Sequence, residues 1–162
     1  NIPAVESVGK GTGIDQATFV KKQQLIQQAL DFHQVANEQA LEILAAYGGF
    51  EIVQICGAML AAAELNIPIV VDGFICTAAA MIAKLIQPNV QDYFIFAHCS
   101  GEQGHEKMLQ WFNAKPLLQL ELRLGEGTGA ALTLPLIQSS LAFYNDMASF
   151  AEANVVDVVS DK

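Results

Sequence analysis

Glu126 stands between two glycines in the stretch RLGEGTGAAL, residues 123–132. Leu122, Leu124, Ala130 and Leu132 surround it in sequence. A lone carboxylate in such a setting suits a general base. Desolvation raises the pKa of an acid toward working pH, and the glycines let a ligand come close. The same residues also describe the exposed acidic tip of a turn ahead of a helix, where the helix dipole favours a negative charge. On the residues alone both readings stay open.

Four other places carry candidate chemistry. In VGKGTGID, Gly9, Gly11 and Gly13 alternate before Asp15, so backbone N–H groups near a helix start are available to an anion. The loop is neither a Walker loop nor a full G-x-G-x-x-G, and an ordinary tight turn is the alternative. Lys21 and Lys22 lie about two turns into the following helix, as phosphate ligands or as solvated surface charges. Asp72-Gly73 ends a buried apolar run, and Ser100 lies in HCSGEQGH. Each is a ligand contact or a loop residue. His98, Cys99 and His105 raise metal binding or a Cys–His nucleophile, but their spacing fits no standard zinc pattern, and partly buried packing is the simpler reading. No metal site is assigned.

These residues need elements to hold them. Asp15 is a candidate N-cap for a helix over QATFVKKQQLIQQALDFH. A second helix is expected over NEQALEILAAYGG, capped by Asn37 and closed by Gly48-Gly49. FEIVQICGAMLAAAELN reads as a third helix, whose small residues suit close packing. IPIVVDGF and DYFIFAH read as buried strands on either side of the helix ICTAAAMIAKLI. GHEKMLQWFNA is a more polar helix, and PLLQLELRL is extended or mixed. A last helix is expected from Thr128 through the segment ending in AEANV. Strands alternating with helices over short connections imply an α/β fold with a parallel sheet, in which ligands sit at the carboxyl ends of the strands. The loops to watch therefore begin at Asp72 and at His98.

The composition narrows the function classes. The 162 residues suit one domain, and 52% hydrophobic residues allow a well-filled core. Charged residues are only 15%, so part of the surface reads as covered by a partner. A net charge of -9 argues against non-specific nucleic-acid binding, though a local phosphate site is compatible with it. No apolar run reaches the roughly 18 residues of a membrane span. The three cysteines, Cys56, Cys76 and Cys99, read as reduced thiols of a cytoplasmic protein. Opening on Asn1 without an initiator Met or a signal peptide, the sequence reads as a fragment or a processed product.

Taken in order, GKGTGID, GGFEIVQICGAMLAAA, IPIVVDGFICTAAA, YFIFAHCSGEQGH and LRLGEGTGAAL closely resemble the C-terminal half of the nicotinate-nucleotide–dimethylbenzimidazole phosphoribosyltransferase family. The resemblance covers essentially the whole chain. It implies a Rossmann-like parallel sheet with flanking helices, of which about 1–127 belong to the α/β domain. It also implies that about 128–155 form a long helical segment of a small helical domain, and that the protein is a homodimer. Family members run to about twice this length. Their N-terminal half, with a Pro-Gly-Ser-Leu-Gly type motif and another glutamate near the site, has no counterpart here.

The resemblance assigns roles residue by residue. Glu126 matches the family's general base. Gly11, Lys22, Gly73 and Ser100 match positions lining the nucleotide's phosphate and ribose, and Asp72 is grouped with them from its place at the strand end. Leu124 matches an apolar wall of the base pocket. The implied reaction moves phosphoribose from nicotinate mononucleotide to 5,6-dimethylbenzimidazole, giving α-ribazole 5'-phosphate and nicotinate. These small molecules are then the partners, with no cofactor, nucleic acid or membrane. The alternative is a non-catalytic α/β module that binds a nucleotide or assembles with a partner, because half of the family's length has no counterpart.

Overall fold

The sheet is built from two short β-branched and aromatic runs, β1 (Ile69–Val71) and β2 (Phe94–Phe96), paired in parallel with Ile69 opposite Phe94 and Val71 opposite Phe96. A computed structural model provides this structure and describes residues 2–11, 13–122 and 124–155. Parallel strands cannot be joined by a tight turn. Here a helix over Phe74–Ile86 and a 3₁₀ turn over Pro88–Tyr93 make the crossover.

Before the sheet come α1 (Ala4–Ser7), α2 (Gln16–His33), α3 (Ala40–Tyr47) and α4 (Phe50–Glu64); the crossover helix is α5, and α6 (His105–Trp111) and α7 (Thr128–Asp146) follow. Asp15 caps α2 as expected, accepting from the Thr18 amide at 2.8 Å. Asn37 does not cap α3. The Gln39 amide bonds back to the Ala36 carbonyl at 3.1 Å, so the chain turns once more and the helix begins only at Ala40.

Small residues decide the core. Ala79, Ala80 and Ala83 of α5 are fully buried, which brings α4 close enough to bury Cys56 and Met59. Val71, Val90, Phe96, Leu109 and Phe112 complete the cluster, and the Phe96 and Phe112 rings lie 4.9 Å apart. Deleting such packed groups from a core typically costs about 2–5 kcal/mol.

Of two late segments, the first is mixed as expected and the second differs from expectation. Among its described residues PLLQLELRL contributes a one-residue bridge, Leu118 beside His98, held by the Leu118 amide on the Ala97 carbonyl at 2.9 Å. The last helix stops at Asp146, not near 155. Beyond it Ser149 and Glu152 bond reciprocally, with Ser149 N to Glu152 Oε2 at 2.8 Å and Glu152 N to Ser149 Oγ at 3.3 Å. Met147 is extended, which ends the helix, and the capping box begins a separate turn after it.

The low charge fraction has a structural counterpart. Phe32 on α2, Phe50 on α4, and Leu134, Leu141 and Phe143 on α7 are all exposed. Among the described residues, no helix is long and apolar enough to cross a membrane.

Candidate active site

The carboxyl ends of β1 and β2 meet the first turn of α7. Asp72, directly after β1, accepts the Ala130 amide on Oδ1 at 2.7 Å. Gly127, at the N-cap of α7, has no side chain to offer, and the first turn has no acidic residue. Asp72 therefore does from another element what an N-cap side chain does locally. His98, two residues after β2, is 4% exposed and lies against Gly73 and Gly129. Its Nδ1 lies 4.0 Å from Asp72 Oδ1, beyond hydrogen-bond reach, and has no hydrogen-bond partner among the described residues.

Two glycines make room for that ring. A Cβ on Gly129 would overlap His98 Nδ1, and one on Gly73 would stand 3.1 Å from His98 Cε1. Gly73 is buried at the N-cap position of α5, so the segment Asp72-Gly73 serves β1, α5 and α7 together.

The loop after β2 is organised by a second histidine. His105 is fully buried. Its Nδ1 accepts the Ser100 amide at 2.9 Å and lies 2.9 Å from Ser100 Oγ, while Nε2 lies 2.9 Å from Thr77 Oγ1 on α5. Burial, with a smaller push from His98 and a weaker opposing pull from Asp72, lowers its pKa from the ordinary 6.5 to about 4. Cys99 is a poor nucleophile here, because burial and the nearby Glu106 carboxylate both push its thiol up. Among the described residues, no group of three His, Cys, Asp or Glu is arranged to hold a metal ion.

The glycine loop lies against this second loop. A Cβ on Gly9 would overlap the Glu102 carboxylate, and one on Gly104 would stand 2.8 Å from the Ser7 carbonyl oxygen. Lys22 Nζ donates to the Gly9 carbonyl at 2.9 Å, whereas Lys21 is exposed. Lys22 is thus the lysine turned toward the loop. Gly11 adopts φ +61, a left-handed conformation that favours glycine, and has open space where a side chain would be.

Glu126 is presented differently. Gly125, Glu126 and Gly127 all have positive φ, at 78, 58 and 76, and this tight turn is tied off by Thr128 Oγ1 donating to the Gly125 carbonyl at 2.7 Å. Glu126 is exposed, and Leu124 is 71% exposed. Among the described residues the dry walls expected around the acid are not formed, with Leu124 and Leu132 both exposed. The candidates thus fall into three groups: Asp72 and Gly73 at the α7 start, Gly11 and Lys22 at the glycine loop with Ser100 on the neighbouring loop, and Glu126 and Leu124 on an open turn. A concave surface of about 730 Å3 next to the second loop, with Cys99, Glu106, Gln110 and Lys115 on its walls, shares only Ser100 with them.

Two organising residues, Thr77 and Gly129, are not among the sequence candidates, and a third, His105, is a candidate there only for metal or nucleophile chemistry. Thr77 is a lone hydroxyl inside an alanine-rich helix, and Gly129 is a glycine in the first turn of a helix. Those were the available signals. His105 stood in the HCSGEQGH motif, but its pairing with Thr77 spans 28 residues and is invisible to local spacing.

A family profile described as "Phosphoribosyltransferase" matches residues 1–155. The nicotinate-nucleotide–dimethylbenzimidazole phosphoribosyltransferase of Shewanella putrefaciens is 60% identical over 158 residues, 98% of this chain and 45% of that protein. The protein of the same name from Pseudoalteromonas translucida is 57% identical over 159 residues, again 98% of this chain and 45% of its own length. The crystal structure of CobT from Thermus thermophilus superposes with a TM-score of 0.88 at 38% identity, covering 96% of this chain and 46% of that one. The chain spans about 45% of the length of these curated relatives.

Proposed function

The chain belongs to the phosphoribosyltransferase family, and from that membership we propose that the complete gene product transfers phosphoribose from nicotinate mononucleotide to 5,6-dimethylbenzimidazole. The products are α-ribazole 5'-phosphate and nicotinate. The observation that carries the reading is the display of Glu126 on a tight, glycine-flanked turn whose following helix is capped from the end of β1 by Asp72.

The chemistry asks for one base. The leaving nitrogen of nicotinate mononucleotide is already a cationic pyridinium and needs no proton. The attacking azole must lose a proton as its free nitrogen bonds to the anomeric carbon, and Glu126 takes it. Attack on the face opposite the departing nicotinate inverts that carbon. The positive character that develops on the ribose is stabilised by a nearby carboxylate. Lys22, the Gly11 loop, Gly73 and Ser100 hold the phosphoribosyl group, and Leu124 lines one side of the flat base. In this reading about 1–127 belong to the α/β domain, and about 128–155 are a helical segment of a small helical domain. A cytoplasmic homodimer completes the reading.

The open surroundings of Glu126 and Leu124 favour a second reading for these 162 residues by themselves: a nucleotide-binding or assembly module that needs further chain to enclose the acid. Incubating the complete gene product with both substrates, and following α-ribazole phosphate by chromatography, tests the first reading. No product overturns it. The same assay on the isolated 162-residue chain separates the second reading, which turnover by that chain would exclude.

A further inference from the structure

We infer that His105 is a positioning residue, a neutral imidazole protonated at Nε2 that holds Ser100 in the orientation in which it meets the phosphoribosyl group. The inference rests on the reading above that Ser100 lines the nucleotide site.

The hydrogen-bond directions follow from what each partner can do. The Ser100 amide can only donate, so His105 Nδ1, 2.9 Å away, must present its lone pair. The ring proton is then on Nε2, and Thr77 Oγ1 at 2.9 Å accepts it. Ser100 Oγ, also 2.9 Å from Nδ1, cannot accept from an unprotonated nitrogen. Its hydrogen either shares the Nδ1 lone pair or turns to a ligand, while one of its own lone pairs faces the Glu102 amide at 3.4 Å. The histidine thus fixes where the serine oxygen sits and leaves its remaining hydrogen-bonding capacity free.

The anchor on the other side is firm. Thr77 is fully buried on α5, the helix that begins at Gly73. One ring therefore registers the loop after β2 against the helix after β1, the two places where a parallel sheet presents its ligand contacts. Burial keeps the ring neutral down to a pH of about 4, so no second proton competes for Nδ1 near neutrality.

The test uses the complete gene product. Nitrogen NMR of the His105 ring should show an unprotonated Nδ1 and a protonated Nε2. Calorimetric titration with nicotinate mononucleotide should show His105→Phe weakening binding roughly three- to tenfold, the value of one hydrogen bond. His105→Asn, which returns an acceptor near the Nδ1 position, should recover most of that loss. In a Ser100→Ala background, His105→Phe should have no further effect. A protonated Nδ1, or losses that multiply in the double variant, overturns the inference. If His105→Phe does not fold, His105→Asn alone and the NMR decide. Failure of the unsubstituted protein to bind the nucleotide overturns the functional reading and the inference together, whereas intact binding with multiplying losses overturns only the inference.

Discussion

Asp72 Oδ1 accepts the Ala130 amide at 2.7 Å across 58 residues of sequence, so a carboxylate at the end of β1 caps the helix that follows the Glu126 turn. This bond links the sheet to the turn that presents the proposed base. Asp72→Ala leaves the Ala130 amide without its acceptor, and should destabilise the protein by about 1–2 kcal/mol, the usual cost of a lost cap. Asp72→Asn keeps an oxygen and should recover part of it. Urea denaturation checks this, and identical midpoints for all three proteins would show the bond to be idle.

Gly129 is required by His98. A Cβ at position 129 would overlap His98 Nδ1 and stand 2.9 Å from Asp72 Oδ1. Gly129→Ala should therefore cost about 1–3 kcal/mol through overpacking. Adding His98→Ala should return part of that stability, because the obstructing ring is gone. Thermal unfolding of the single and double variants measures both effects. A Gly129→Ala protein as stable as its parent would count against the packing described here.

Glu126→Gln keeps the size of the side chain and removes the base. Turnover should drop by about 10²–10⁴-fold while nicotinate mononucleotide binds as before. Steady-state kinetics with a separate binding titration separates the two effects. Undiminished turnover at neutral pH takes Glu126 out of the base role.

The neighbouring lysines should behave differently. Lys22 is turned to the glycine loop and Lys21 to solvent. Lys22→Gln should weaken nicotinate mononucleotide binding roughly ten- to hundredfold, the range for one charged hydrogen bond. Lys21→Gln should leave it nearly unchanged. Equal effects from both would mean that a diffuse charge matters rather than the Lys22 position.

His105 makes stability depend on pH. In the unfolded chain it takes a proton near 6.5, but in the folded protein only near 4. Between those values the unfolded state binds more protons, so this part of the stability is complete above 6.5 and is lost as pH falls toward 4. His98 and Asp72 are the titratable groups acting on it. The loss should be about 2 kcal/mol, discounted for solvent screening. Denaturation midpoints at pH 7, 5.5 and 4.5 should slope downward, and His105→Asn should flatten the slope. An equal slope in that variant assigns the effect to other groups.

Much of this architecture is legible from local chemistry. The span of α2 and its Asp15 cap follow from helical spacing and one short acid, and both strands from β-branched and aromatic runs ending in polar loops. The ordered motifs also point to the phosphoribosyltransferase family, because together they are far more specific than any one glycine loop. Local signals fail where two patterns compete. The turn at Ala36 outcompetes Asn37 as a cap, and an extended Met147, followed by the Ser149–Glu152 box, ends a helix whose apolar pattern continues past it.

The sequence by itself determined which residue types stand at the strand ends and on the Glu126 turn, since propensity, capping and turn chemistry act over a few residues. Only the tertiary structure decided what those residues touch. It spends Asp72 on the Ala130 amide, seats His98 against two glycines, and joins Ser100 to Thr77 through His105. It also leaves Glu126 open to solvent, where its apolar neighbours in sequence suggested a dry pocket. The physical reason is that burial and hydrogen bonding depend on distances in space, and adjacency in sequence sets those only within a turn or two of chain.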